Sequence, residues 1–209
     1  MKIIKEISTA QFEAEFLRGE FYKPTFRHVR KELERNLVNL SDYDRPSRNY
    51  IRHLLLQIER GGFLSNLPKM MRWYLAEITI GDLFSSNVIN EGSWHSVFGN
   101  RRSVSEITAL ISTGIFDEWH VSKIHRIIET ISHTSTMDET TISAKDFKKA
   151  MNGKMIFLKN KKNELSILEG NHRAVSLSVL ADKYNCDISH LFPIKIVVGD
   201  LGNKKCTWF

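Results

Sequence analysis

Apolar residues recur along this chain at two different periods, and the change from one to the other organises it. From Phe26 onward, Phe26, Val29, Leu33, Leu37 and Leu40 fall three and four residues apart, one stripe of an α-helix, while Arg27, Arg30, Lys31, Glu34 and Arg35 occupy the remainder. A second set, Ile51, Leu54, Leu55 and Ile58, follows Pro46 and is expected to end at Gly61-Gly62, leaving Arg48, Arg52, Gln57 and Arg60 polar. The two predict an αα-hairpin. At Trp73 to Ile80 the pattern changes to aromatic and β-branched residues in partial alternation, a candidate strand bounded by Gly81, with Asp82 opening a turn or short helix. Further on, Ser103-Val104-Ser105-Glu106 has the spacing of a capping box before Ile107, Leu110 and Ile111. Ser143-Ala144-Lys145-Asp146 is a weaker version before Phe147 and Met151. Between them Ile124, Ile127, Ile128 and Ile131 form a helical stripe, and Gly92, Gly99 and Gly114 predict breaks.

The C-terminal quarter reads most clearly. Met155 to Leu158, a charged turn at Lys159 to Glu164, and Leu165 to Leu168 predict a hairpin; Ala174 to Lys183 is helix-like and Phe192 to Gly199 strand-like. Between hairpin and helix stand Glu169-Gly170-Asn171-His172-Arg173. A glycine there permits a tight turn, and the first amides of the following helix point their N–H groups outward, beside roughly half a positive charge. Such a corner suits an anion, to which Arg173 would add a bidentate fork. Glu169 and His172 are the groups of the motif able to move a proton or help hold a metal ion. The residues alone also allow a plainer reading, with Asn171 as an N-cap, His172 on the surface, and Glu169 and Arg173 in an ordinary salt bridge.

Composition limits the classes of function. With 209 residues, 42% hydrophobic and 26% charged, the chain has room for a core and the make-up of a globular protein. No run approaches the roughly 20 apolar residues that span a bilayer, and Met1 to Glu6 lacks a signal-peptide core, so a cytoplasmic protein with no membrane partner is expected. Cys186 and Cys206 are too few and too separated for a zinc cluster; neither zinc nor haem is expected, and reduced thiols are. Charge changes the picture more. Between Lys23 and Arg72 eleven basic residues stand against five acidic ones, an excess equal to the +6 of the whole chain. Arg27, Arg30, Lys31, Arg45, Arg48 and Arg52 are therefore candidates for contact with the backbone of DNA or RNA, against the alternative of a merely solvated face.

Other polar groups stay open. In the segment from Asn90 to Arg102, Trp94, His95, Asn100, Arg101 and Arg102 have the chemistry to stack a base or hold a phosphate; anchoring of the loop by Trp94 and Phe98 is the preferred reading. His120, His125 and His133 are irregularly spaced and show no His-Glu-x-x-His pattern, so no metal site is expected of them. Neither a Walker A loop, a Gly-x-Gly-x-x-Gly turn, nor a local Ser-His-Asp or Cys-His signature is present. Trp208 and Phe209 either pin the tail or mark a partner surface, and burial is preferred.

Ile167-Leu168-Glu169-Gly170-Asn171-His172-Arg173-Ala174-Val175, with the preceding hairpin and the Phe192-Pro193-Ile194-Lys195-Ile196-Val197-Val198-Gly199 strand, resembles the signature region of the ParB/sulfiredoxin-like superfamily. The resemblance covers about sixty residues, from Lys154 onward, with Tyr74 to Leu83 as a weaker match to the family's first strand. It implies an α+β fold, a mixed sheet with helices at 73–209, clearest at 154–209, preceded by a basic helical extension at 1–72. Asn171 stands where sulfiredoxins carry cysteine, which argues against a sulfinic-acid reductase. Gly170-Asn171-His172-Arg173 also departs from the Gly-Glu-Arg-Arg of ParB CTPases. The nearest pattern is Asp-Gly-His-His-Arg, which includes a free serine kinase. What the resemblance implies is a phosphate-handling enzyme, a nucleotide-dependent phosphotransferase or phosphohydrolase. Glu169, His172 and Arg173 would be catalytic, Gly170, Asn171 and Arg173 would bind phosphate, and Glu169 would ligate Mg2+ brought with a nucleoside di- or triphosphate. The partner would be a nucleotide or another phosphorylated small molecule. Alternatives are a non-catalytic DNA-binding module on the same scaffold, a ParB-like nuclease, and a partner-binding protein of phage or mobile-element origin.

Overall fold

A computed structural model describes residues 1–20, 24–28, 45–89, 92–99, 103–114, 118–134, 140–142, 147 and 153–206. In chain order these form β1 (Lys2–Ile7), α1 (Thr9–Glu20), α2 (Pro46–Leu64), β2 (Arg72–Ile78), α3 (Ile80–Ser85), β3 (Asn87–Val88), α4 (Gly92–Phe98), α5 (Val104–Ser112), α6 (Glu118–Ile131), β4 (Ser132–Thr134), β5 (Thr140–Ile142), β6 (Ile156–Asn160), β7 (Leu165–Glu169), α7 (Asn171–Asp182) and β8 (Ile194–Gly202). The architecture is α+β. Six strands make one mixed sheet in the order β1-β2-β8-β6-β7-β3, and β4 pairs with β5 separately.

The expected hairpin forms, with Phe157 opposite Ile167 and Lys159 opposite Leu165. β8 runs antiparallel to β2 and parallel to β6. Leu165, Ser166, Ile167 and Leu168 are all buried. Successive strand residues point to opposite faces, so burial of all four means that the sheet is covered on both sides here. α7 is enclosed as thoroughly: Arg173 to Leu180 are buried without a break, and the helix packs against α5 and α6. A helix buried all round has no amphipathic stripe to read. β1, by contrast, is an edge strand whose residues are mostly exposed; Lys2, Lys5 and Glu6 put charge on that edge.

The capping box expected at Ser103 forms, and the short helix expected to open at Asp82 begins with a second box not expected from the sequence. Thr79 and Asp82 form a reciprocal capping box at the start of α3, as do Ser103 and Glu106 at the start of α5. The box at Ser143 lies outside the described residues. Gly92, Gly99 and Gly114 all adopt positive φ at helix ends, as breaks there require.

The N-terminal third departs from expectation in three ways. First, residues before 73 are not set apart from the sheet: β1 pairs with β2, and Phe12, Phe16, Leu17, Leu55 and Leu56 belong to the same core cluster as Trp73 and Ile196. Second, α2 runs through Gly61-Gly62 to Leu64, because Phe63 and Leu64 pack on the core and Phe63 lies 6.0 Å from Phe16. Packing outweighs the roughly 1 kcal/mol that each glycine costs a helix. Third, α2 buries a different face. Leu55, Leu56 and Arg52 are inside, whereas Ile51, Leu54 and Ile58 are 44%, 41% and 76% exposed. Gly62 faces open space, with nothing within 4 Å of a Cβ placed there. Gly62→Ala is therefore expected to raise stability by about 0.5–1 kcal/mol, read as a shift in the urea midpoint at unchanged slope.

Candidate functional site

The Glu169 to Arg173 corner is built as its sequence requires. Gly170 precedes α7 with φ +102°, and a Cβ there would lie 2.6 Å from Met155 Cγ. No other residue fits without strain. Asn171 is not the N-cap of the plainer reading; it is the first residue of α7, and its Oδ1 accepts from the Ile89 amide at 3.2 Å. That bond ties the corner to the end of β3.

Arg173 turns inward. It is 8% exposed and donates to the Gly153 carbonyl at 2.7 Å, with Glu169 Oε1 at 3.6 Å. Burial pulls its pKa below the usual arginine value, opposed by the negative charges of Glu169, Glu15 and Glu20. α1 supplies two of those carboxylates, and each is held by a further cation, Glu15 by Lys154 and Glu20 by Arg60. The salt bridge expected between Glu169 and Arg173 is thus present, inside a larger network. Gly19 on α1 completes it, since a Cβ there would meet Glu169 Cγ at 3.1 Å.

His172 turns the other way, toward a histidine to which the sequence assigned no role. Its Nε2 lies 2.9 Å from Nδ1 of His120, on α6, and the rings stack with centroids 5.0 Å apart. Trp94 sits 4.3 Å from His120 and 4.8 Å from His172, Phe98 5.6 Å from His120, and Trp119 4.8 Å and 5.5 Å from the two imidazoles. Two imidazoles are thus caged by three aromatic rings. Trp94 and Phe98 are buried on α4, as the anchoring reading expected. The pair was legible in one respect. His120 falls on the stripe of Ile124, Ile128 and Ile131, and a histidine on an apolar stripe needs a buried partner.

A cavity of about 570 Å³ opens beside this pair, lined by the Glu169 to Arg173 corner, by Ser93 and Trp94, and by Trp119, Lys123, Arg126, Ile127 and Thr130 of α6. Trp119, Lys123, Arg126 and Thr130 are spaced four, three and four apart, one face of the helix. Lys123 Nζ lies 4.4 Å from the Trp119 ring centre, so the cation and the indole are held together. A smaller cavity of about 260 Å³ shares Ser93, Trp94, Glu169 and Asn171 as a common wall.

The remaining expected groups lie elsewhere. Arg27 and Arg45 are exposed and Arg48 is half-buried, while Arg30 and Lys31 lie outside the described residues, as do Asn100, Arg101, Arg102 and Trp208. Arg52 corrects the expectation of a basic outer face on α2: it is fully buried and donates to Asn49 Oδ1 at 3.0 Å, out of reach of a phosphate backbone. Among the described residues no three His, Cys, Asp or Glu side chains gather to hold a metal ion, and Glu169 already faces Arg173. Cys186 is buried and Cys206 half-buried. Among the described residues no helix is long and apolar enough to cross a membrane.

Comparison with protein-family models, with curated proteins and with solved structures gave no match.

Proposed function

We propose that this chain is a phosphate-handling enzyme on a variant ParB/sulfiredoxin-like fold, binding a nucleotide or similar phosphorylated molecule at the Glu169 to Arg173 corner. The observation that carries the reading is the composition of one cavity: three cations, two indoles, one imidazole and a carboxylate line a space of about 570 Å³, with the ring of His120 behind that of His172. That is the size of a small-molecule site. In support of the fold, the corner follows an antiparallel hairpin and precedes a strand parallel to the first strand of that hairpin.

Roles follow from placement. Lys123 and Arg126 take the phosphates, Trp119 and Trp94 offer faces for an aromatic base, and His172 transfers a proton. Glu169 orients the hydroxyl or water that attacks, its carboxylate being set by Arg173. Arg173 itself acts one step back: it holds the corner rather than the ligand.

The test is titration with ATP, followed by Trp fluorescence, of wild type against Lys123→Ala, Arg126→Ala and the double variant. Each single change is expected to weaken binding roughly tenfold, as for one charge-assisted contact. Binding should weaken further with salt. Equal affinity in wild type and double variant would sink the reading. Tight, salt-sensitive binding of duplex DNA that survives the double variant would instead favour a nucleic-acid module using Arg27, Arg45 and Arg48.

A further inference from the structure

We propose that the smaller cavity is a second-substrate subsite, and that it takes an uncharged, polyhydroxylated molecule the size of a monosaccharide. One hydroxyl of that molecule receives the phosphoryl group of a nucleotide held in the larger cavity, across the wall that the two cavities share. The inference rests on the reading of the larger cavity as a nucleotide site, and it supplies the acceptor which that reading leaves open.

Three observations carry it. The first is the common wall. Ser93, Trp94, Glu169 and Asn171 line both spaces, so occupants of the two cavities meet at one boundary, as the donor and acceptor of a transferred group must. Glu169 lies on the side of the smaller space: its Oε1 is 3.2 Å from where a Cβ on Gly19 would stand, and Phe16 and Glu20 of the same helix, α1, line that cavity. The second is charge. Lys123 and Arg126 line the larger cavity, whereas each charge lining the smaller one is faced by its opposite: Arg60 Nε donates to Glu20 at 2.8 Å, and Arg173 stands 3.6 Å from Glu169. Balanced in this way, the smaller space recruits neither an anion nor a cation. The third is the mixture of surfaces. Phe16, Phe63 and Trp94 bring aromatic rings, and Glu20, Arg60, Ser93, Glu169 and Asn171 bring hydrogen-bonding side chains, around about 260 Å³. An apolar occupant would leave those polar groups unmatched; hydroxyls both donate and accept, and the C–H face of a sugar ring covers an aromatic one. The volume is that of roughly nine waters, room for a monosaccharide and too little for a nucleotide.

In the transfer the acceptor oxygen bonds to the γ-phosphorus of the nucleotide while the bond from that phosphorus to the β,γ-bridging oxygen breaks, its electron pair leaving with the diphosphate. The hydroxyl proton passes to the Glu169 carboxylate. The products are a nucleoside diphosphate and a sugar phosphomonoester, and no further reactant is consumed.

The experiment incubates the full chain with ATP, magnesium and an equal mixture of D-ribose, D-glucose and D-mannose, in wild type, Phe63→Trp and Arg60→Lys, and follows phosphomonoester by phosphorus NMR. Wild type is expected to form it. Phe63→Trp, which narrows the smaller cavity alone, should slow its formation about tenfold or more while ATP affinity stays within about twofold. Arg60→Lys keeps the charge that faces Glu20 but loses the guanidinium fork; it should slow formation about tenfold, and it carries the test if Phe63→Trp fails to fold. ATP bound through Lys123 and Arg126 with no phosphomonoester from any of the three sugars overturns the proposal and leaves the nucleotide reading standing. So does a monoester formed by both variants at the wild-type rate. Calorimetric binding of the sugars without ATP, lost in Phe63→Trp, together with ATP binding indifferent to Lys123 and Arg126, would uphold the sugar subsite and remove the nucleotide reading instead.

Discussion

Arg173→Ala is expected to destabilise the fold by about 3–5 kcal/mol, the range for removing one partner from a buried ion pair. The guanidinium is nearly closed to solvent, its NH1 is committed to the Gly153 carbonyl, and Glu169, Glu15 and Glu20 all act on its charge. Truncation leaves a buried carbonyl without that donor and a carboxylate facing none of the charge that balanced it. Arg173→Lys should recover only part of the loss, since an ammonium replaces the charge but not the fork that spans Gly153 and Glu169. Urea unfolding followed by Trp fluorescence decides the point; a wild-type midpoint in Arg173→Ala would mean that the corner is not held this way. The result also governs how binding data are read. Loss of ligand in Arg173→Ala reports a collapsed corner as readily as a missing phosphate contact, which is why Lys123 and Arg126 are the better probes.

The second large effect is at Gly170. Gly170→Ala should cost about 2–4 kcal/mol, of which roughly 1–2 kcal/mol is the left-handed backbone and the rest is overlap with Met155. The clash is with Cγ and Cβ of a fully buried side chain, atoms close to the backbone that cannot swing clear. Thermal unfolding gives the measurement, with Gly62→Ala as the contrasting case of a glycine in open space. A Gly170→Ala variant as stable as wild type would show that the turn can relax away from φ +102°.

These positions also show what the sequence made legible. Gly170 could be assigned a turn because strand-like and helix-like runs flank it, and the capping box at Ser103 could be placed because its bonds join residues three apart. Local chemistry with local partners leaves a readable mark. The orientation of α2 did not, because two faces of that helix carry apolar residues and the choice between them is made by Phe16 and Phe26, well away in sequence. Arg52 was misplaced for the same reason. The inward turn of Arg173 depends on Gly153 and on the carboxylates of α1, so the motif alone left a phosphate fork and a structural anchor equally open. His120 and His172 are 52 residues apart, and no spacing rule connects them.

The enclosure of α7 has a consequence for how such a site can vary. Because the helix that carries Asn171, His172 and Arg173 is buried along nearly its whole length, its amides have little route to exchange short of global opening. A substitution there alters folding before it alters chemistry. The exposed face of α6 is under no such constraint: Trp119, Lys123, Arg126 and Thr130 reach the cavity from a helix whose packing is done by other residues. Change of ligand preference is therefore cheapest on α6, and related chains would be expected to differ there while the corner stays fixed.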